Sequence, residues 1–167
     1  MQILALVSCI IYIAYNAVYF SLFKKVPKSL SETYYLYQEK YKRGWVFMAA
    51  LIFMGILLIP HLIEITNTKV QFLAFLCPLS IIFVGSAPRF KGVTTDSIVH
   101  PIAAILAAVF GVAWIIFATS FWWILLIVFI LGCLGAYFTK TIKTSYLFWG
   151  ETILFVSVYL CAFLLKA

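Results

Sequence analysis

The chain has 167 residues, of which 66% are hydrophobic and only 10% are charged. A soluble domain carries roughly 25% charged residues and about 50% apolar ones, so this composition excludes a water-soluble fold and predicts a protein that lies mainly in lipid. The net charge of +7 is dispersed over short segments between apolar stretches, which argues against a nucleic-acid-binding surface.

Six apolar stretches have about the 17 to 25 residues that a membrane-crossing helix needs. They predict an all-α fold, a polytopic transmembrane helix bundle that forms a single domain over residues 1–167. The predicted spans cover residues 3–23, 45–63, 70–87, 101–118, 121–138 and 146–165. A tight hairpin is expected at Thr119 and Ser120, because one unbroken helix over residues 101–138 would be about 57 Å long. The first stretch lacks the basic flank and the cleavage site of a signal peptide, which favours a retained helix.

The segment of about residues 30–43, between the first two spans, is predicted to form an amphipathic helix at the membrane surface. Ser29 and Glu32 have the spacing of a capping box, in which each side chain accepts a hydrogen bond from a free backbone N–H. One face of this helix has the helical spacing of apolar and aromatic residues, at Leu30, Tyr34, Tyr37 and Tyr41. We expect the tyrosines to lie at the depth of the lipid headgroups.

The basic residues predict the orientation of the bundle, since loops rich in lysine and arginine stay in the cytosol. With six spans, ten basic residues fall on one side of the membrane and two on the other. The first set is Lys24, Lys25, Lys28, Lys40, Lys42, Arg43, Arg89, Lys91, Lys140 and Lys143, and the second is Lys69 and Lys166. We therefore expect non-cytosolic N- and C-termini in a multi-pass protein of the plasma (inner) membrane. Its predicted partners are the lipid bilayer and either further copies of the chain or a larger membrane complex.

Small residues recur at helical spacing on the fourth and fifth spans. They are Ala104, Ala107, Ala108, Gly111, Gly132 and Gly135. Faces of this kind allow neighbouring helices in a membrane to approach closely. We therefore expect tight helix–helix contacts along both spans.

Ionisable residues at the predicted cytosolic ends of the spans form the main candidate site. They are Glu32, Arg89, Asp96, His100 and Glu151. The functional hypothesis is a polar pocket that binds an anionic headgroup or a small solute, and the alternative is a set of helix caps, snorkelling charges and structural ion pairs. Glu151 precedes a fully apolar run and is expected to need a partner, such as Arg89 or a lysine. His100 is expected to flank the fourth span, with Pro101 at the first helical position.

A weaker candidate lies near the opposite end of the second span, where His61 and Glu64 are three residues apart. They are interpreted either as a pair that ligates a metal or relays a proton, or as the hydrated end of a helix. The chain contains only two histidines, on opposite predicted faces, which excludes a multi-histidine zinc centre. Because G-x-S-x-G, Walker A and dinucleotide fingerprints are also missing, no metal or other cofactor is predicted.

Three functional hypotheses follow from these patterns. The leading one is a non-enzymatic bundle that binds or transports a small solute or lipid through the cytosolic pocket, because no set of nucleophile and base is evident. The second is an enzyme that modifies lipid headgroups, with His100 as acid–base, Asp96 as its orienting partner and Arg89 with the loop lysines as a phosphate clamp. The third is an accessory subunit of a larger membrane complex, which would have no cavity.

Overall fold

The structure is a computed structural model that describes residues 1–92 and 94–165. All regular structure in these residues is helical, which confirms the predicted all-α class. The helices are α1 (Gln2–Phe23), α2 (Glu32–Tyr41), α3 (Trp45–Ile65), α4 (Gln71–Ser86), α5 (Thr95–Ala118), α6 (Trp122–Phe138) and α7 (Tyr146–Leu164). Lys166, which counted toward the predicted charge distribution, lies outside the described residues.

Five helical segments are long and apolar enough to cross a membrane, and they identify a membrane-integral protein. These are α1, α3, the segment Thr68–Ser86 that contains α4, α5 and α7. The remaining apolar helix, α6, has 17 residues and a length of about 25 Å. It is therefore a few ångströms shorter than a typical hydrocarbon core of about 30 Å.

The amino end of α5 differs from the prediction. The helix begins at Thr95, so Pro101 lies inside it rather than at its first position. A proline removes one backbone hydrogen bond and disfavours the α conformation of the residue before it. Here the residue before it is His100, whose ring makes hydrogen bonds to three other residues, and these contacts hold the preceding turn in helical form.

Helices pack closely wherever glycine faces a neighbouring helix. A Cβ atom at Gly55 of α3 would lie 2.7 Å from the carbonyl oxygen of Pro78 on α4, closer than real Cβ contacts allow. A Cβ atom at Gly132 of α6 would lie 2.6 Å from the side chain of Ile153 on α7. The α3–α4 and α6–α7 pairs are therefore in close contact, as small residues in membrane helices permit.

The short helix α2 packs against α1 through its buried face. The Tyr37 ring lies 5.9 Å from the ring of Tyr15 and 5.3 Å from that of Phe23. Burial raises the pKa of the Tyr37 hydroxyl, and the nearby Tyr41 raises it further. The predicted tyrosine face is divided, because Tyr37 is buried while Tyr41 is exposed.

One of the two hydrogen bonds of the predicted capping box at α2 forms as expected, and the other comes from a residue one position earlier in the chain. The Glu32 N–H donates to the Ser29 hydroxyl at 3.0 Å, as a capping box requires. The Glu32 carboxylate accepts a hydrogen bond at 2.8 Å from the N–H of Lys28, the residue before the serine. These two bonds hold the chain that leads into α2 in one conformation.

Candidate ligand-binding cavity

A cavity of about 470 Å³ lies among α3, α4, α5, α6 and α7. Its walls are mostly apolar, and its hydroxyl and carboxyl groups come from Ser31, just before α2, from Tyr146, at the amino end of α7, and from Glu151, in the second turn of α7. The small residues Ala104, Ala107 and Ala108 of α5 line it. The close approach predicted for this helix face is seen at Gly111, where a Cβ atom would lie 3.0 Å from Leu154 of α7. At the alanines, the small side chains border open space.

Glu151 takes a backbone amide as its partner. The N–H of Leu30 donates to Glu151 Oε2 at 2.5 Å, so the expected pairing with Arg89 or a lysine is wrong. The second carboxyl oxygen, Oε1, accepts no hydrogen bond from any residue that the structure describes. Beside it, Gly150 also lines the cavity, and apart from its chain neighbours and the adjacent backbone of α7 no atom lies within 4 Å of the position that a Cβ would take there. Glu151 thus offers an unused acceptor next to open space.

His100 contacts the same polar end of the cavity through Ser31. Its Nδ1 lies 2.9 Å from the carbonyl oxygen of Ala87 and 3.1 Å from that of Val84. Carbonyl oxygens only accept hydrogen bonds, so Nδ1 carries the proton in the neutral ring. Nε2 therefore accepts a hydrogen bond from the Ser31 hydroxyl, at 2.8 Å. The ring of Phe90 stacks on the imidazole at 4.5 Å between centroids.

Arg89 and Asp96 form an ion pair of 3.4 Å at the surface. Asp96 makes no hydrogen bond to His100 within residues 1–92 and 94–165, so its expected orienting role belongs to the backbone carbonyls of Ala87 and Val84. The Arg89 side chain is 69% exposed. Neither Arg89 nor Asp96 lines the cavity, and a pair of this exposure contributes about 0–1 kcal/mol to stability.

Glu32 also lies outside the cavity. Its carboxylate is 3.6 Å from the Lys91 ammonium group, and the backbone N–H of Lys91 donates to the Tyr35 hydroxyl at 2.7 Å. These contacts join α2 to the α4–α5 loop. The amino end of α7, which follows the loop that carries Lys140 and Lys143, meets the α1–α2 segment, because the N–H of Phe148 donates to the Lys28 carbonyl at 3.1 Å. The loops of the larger predicted basic set therefore gather at one end of the bundle.

Ser31 is the site residue that sequence reasoning missed. It is separated from His100 by 69 positions and from Glu151 by 120, and an isolated serine before a short helix has the pattern of an ordinary cap. The available local signal was the capping-box spacing of Ser29 and Glu32, which marks the start of α2 beside it. The pairing with His100 depends on how α2 and α5 pack.

The opposite end of the bundle holds His61 and Glu64. His61 Nε2 lies 3.1 Å from the carbonyl oxygen of Ala162, and Nδ1 lies 3.7 Å from the Glu64 carboxylate. Neither residue lines the cavity described above. In the described part of the chain, no three His, Cys, Asp or Glu side chains converge as a metal site would require.

Of the five predicted site residues, the structure brings Glu151 to the cavity and His100 to Ser31 at its edge. The arrangement combines a mostly apolar cavity, a hydrogen-bond acceptor on Glu151 and a serine hydroxyl that is hydrogen-bonded to His100. We found no protein-family model, curated protein or solved structure that matches this chain.

Proposed function

We propose that this protein binds a single-chain amphiphile in the cavity, with the apolar chain among α3 to α7 and the polar head at Ser31 and Glu151. The observation that carries the proposal is the cavity itself. Its volume of about 470 Å³ falls within the roughly 300–1,000 Å³ of small-molecule sites, and it has apolar walls with polar groups at one end.

The polar end favours a head group that donates hydrogen bonds. Glu151 Oε2 already accepts from Leu30, which leaves Oε1 for a ligand. A carboxyl group accepts from hydroxyl or amine donors, and a water-poor site strengthens such a bond. A head group that bears hydroxyls fits this acceptor, whereas a free fatty acid would place a second carboxylate beside Glu151.

We also propose the finer topology that the charges predict. The bundle has six spans with non-cytosolic termini, α2 lies at the cytosolic face of the plasma membrane, and the cavity has its polar end there. The gathering of the basic loops at one end supports this orientation. In sealed vesicles of known orientation, a membrane-impermeant maleimide should label a Lys140→Cys variant only from the cytosolic side and a Lys69→Cys variant only from the other side. Labelling of both from one side would contradict the topology.

Binding can be tested on the purified protein in lipid nanodiscs with a monoacylglycerol that carries a fluorophore at the end of its chain. Gly150→Leu places a large side chain in open space at the cavity wall and should weaken binding about tenfold or more, equivalent to about 1.4 kcal/mol. Val109→Leu enlarges an exposed side chain on α5 and is the matched control. It should bind as the wild type does.

Equal affinities of the wild type and the Gly150→Leu variant, with both proteins folded by size-exclusion chromatography, would rule out the cavity as the binding site. Failure of the wild type to bind the monoacylglycerol would rule out this class of ligand.

A further inference from the structure

We infer that Ser31 and His100 form a nucleophile–base pair that cleaves a carboxylic ester in the bound amphiphile. The inference rests on the proposed function, because the ester is that of the single-chain ligand in the cavity. The geometric basis is the 2.8 Å contact between Ser31 Oγ and His100 Nε2. It lies within the roughly 2.6–3.2 Å over which a base activates a serine nucleophile.

The histidine is held in the state that a general base requires. The Nδ1 N–H donates hydrogen bonds to the carbonyl oxygens of Ala87 and Val84, so the lone pair of Nε2 faces the serine hydroxyl. In serine nucleophile sites a third group holds the base in this way, and its role is recognised by geometry rather than by residue type. Stacking of Phe90 at 4.5 Å fixes the plane of the ring.

The serine is placed where negative charge is stabilised. Ser31 is the residue that immediately precedes the ten-residue helix α2, whose amino end carries a partial positive charge. The backbone N–H of Ser31 donates to no acceptor in the described residues, so it is free to donate to the oxyanion of a tetrahedral intermediate. Ser31 also lines the cavity that receives the acyl chain.

The first half of the reaction follows from these positions. Ser31 Oγ attacks the ester carbonyl carbon while its proton passes to His100 Nε2. The tetrahedral intermediate then collapses, the bond from the carbonyl carbon to the alcohol oxygen breaks, and that oxygen takes the proton from His100. The products of this step are a free alcohol and an acyl group on Ser31.

In the second half, a water molecule attacks the acyl carbon and gives a proton to His100. The bond to Ser31 Oγ breaks, the serine oxygen recovers the proton from His100, and a carboxylic acid leaves. Glu151 acts as a positioning residue, because it holds the N–H of Leu30, the residue directly before the nucleophile. No group is oxidised or reduced, and water is the only co-reactant.

A fluorophosphonate with a long alkyl chain tests the nucleophile, because it forms a phosphorus–oxygen bond with an activated serine and releases fluoride. In the wild-type protein, peptide mass spectrometry should locate the label on Ser31. Ser31→Ala should abolish this modification, whereas Ser97→Ala, which removes a hydroxyl from the first turn of α5, should react at the wild-type rate. Because the modified residue is read in the wild type itself, the result does not depend on whether a variant folds.

The same proteins separate this inference from the proposed binding function. Ser31→Ala should release no fatty acid from the fluorescent monoacylglycerol, while Gly150→Leu should lose both binding and labelling. Wild-type protein that binds the monoacylglycerol but is not labelled at Ser31 would overturn the nucleophile and leave the binding function intact. If the wild type neither binds the lipid nor reacts with the probe, both proposals are wrong.

Discussion

The two histidines of this chain lie at opposite ends of the bundle and share the same burial. His61 and His100 are each 4% exposed, and each has one ring nitrogen within hydrogen-bond distance of a backbone carbonyl. They differ in what faces the other nitrogen. At His100 it is the hydroxyl of Ser31 beside a cavity, and at His61 it is the carboxylate of Glu64, 3.7 Å away and 45% exposed.

Burial alone therefore does not identify a functional histidine. The backbone carbonyl lies next to Nδ1 in His100 and next to Nε2 in His61, so the nitrogen that faces a further partner is Nε2 in His100 and Nδ1 in His61. A nitrogen with a free lone pair is useful for catalysis only when a donor and space for a substrate lie next to it. Ser31 and the cavity supply both at His100.

Among the substitutions that compare the two ends, those of the histidines should have the strongest effect, on the reaction of Ser31 with the alkyl fluorophosphonate. His100→Gln removes the base from Ser31 and should slow labelling by about 10²–10⁴-fold, the usual contribution of a general base. His61→Gln should leave the rate unchanged, because its ring does not contact the serine. The measurement is the labelling rate of each purified variant, normalised to the wild type.

If the His100→Gln and His61→Gln variants lose labelling to the same extent, His100 is not the specific base of Ser31. Binding of the fluorescent monoacylglycerol provides the control, since it should persist in the His100→Gln variant. A loss of both binding and labelling there would assign His100 to the structure of the cavity rather than to the reaction.

A smaller effect is expected on stability when the acidic residues of the two ends are compared. Glu151→Ala leaves the N–H of Leu30 without its acceptor and should lower the free energy of unfolding by about 1–3 kcal/mol. Glu64→Ala removes a half-exposed partner and should cost about 0–1 kcal/mol. Unfolding in detergent, followed by tryptophan fluorescence, gives both values.

Glu151→Gln refines this comparison, because the amide oxygen can still accept the Leu30 hydrogen bond. It should therefore be more stable than Glu151→Ala. An alanine variant as stable as the glutamine variant would show that the bond to Leu30 contributes nothing.

The smallest effect is expected at the surface ion pair next to the site. Arg89→Ala should change the free energy of unfolding by less than about 1 kcal/mol, since the arginine is mostly exposed. It should also leave the labelling rate of Ser31 unchanged. A large loss of labelling would show that Arg89 takes part in the site, as the sequence predicts.

The sequence and the structure agree best on features that depend on neighbouring residues. The helical, membrane-integral class follows from long apolar runs, because lipid offers no hydrogen-bond partners to an open backbone. The start of α2 follows from Ser29 and Glu32, which are close enough to interact along the chain. Local rules fail where tertiary packing opposes them. The preference of proline for the first helical position predicted that α5 begins at Pro101, six residues after its observed start at Thr95.

Charge partners were harder to predict than helices. Under the enzyme hypothesis Asp96 was the orienting partner of His100, four residues away, but it pairs with Arg89, seven residues away in the preceding loop. The i, i+4 spacing shows which side chains on one helix can contact each other. It does not show whether a residue in a nearby loop lies closer.

From the sequence alone it follows that the chain lies in lipid, how many apolar segments it has and at which end its basic loops are expected. The contacts of Leu30 with Glu151 across 121 positions and of Ser31 with His100 across 69 depend on the tertiary structure. The hydrophobicity of a segment depends only on its own residues, so it follows directly from the sequence. A hydrogen bond between distant residues requires a specific packing of the helices that carry them, and here that packing brings a serine, a histidine and a carboxyl group to one end of a cavity.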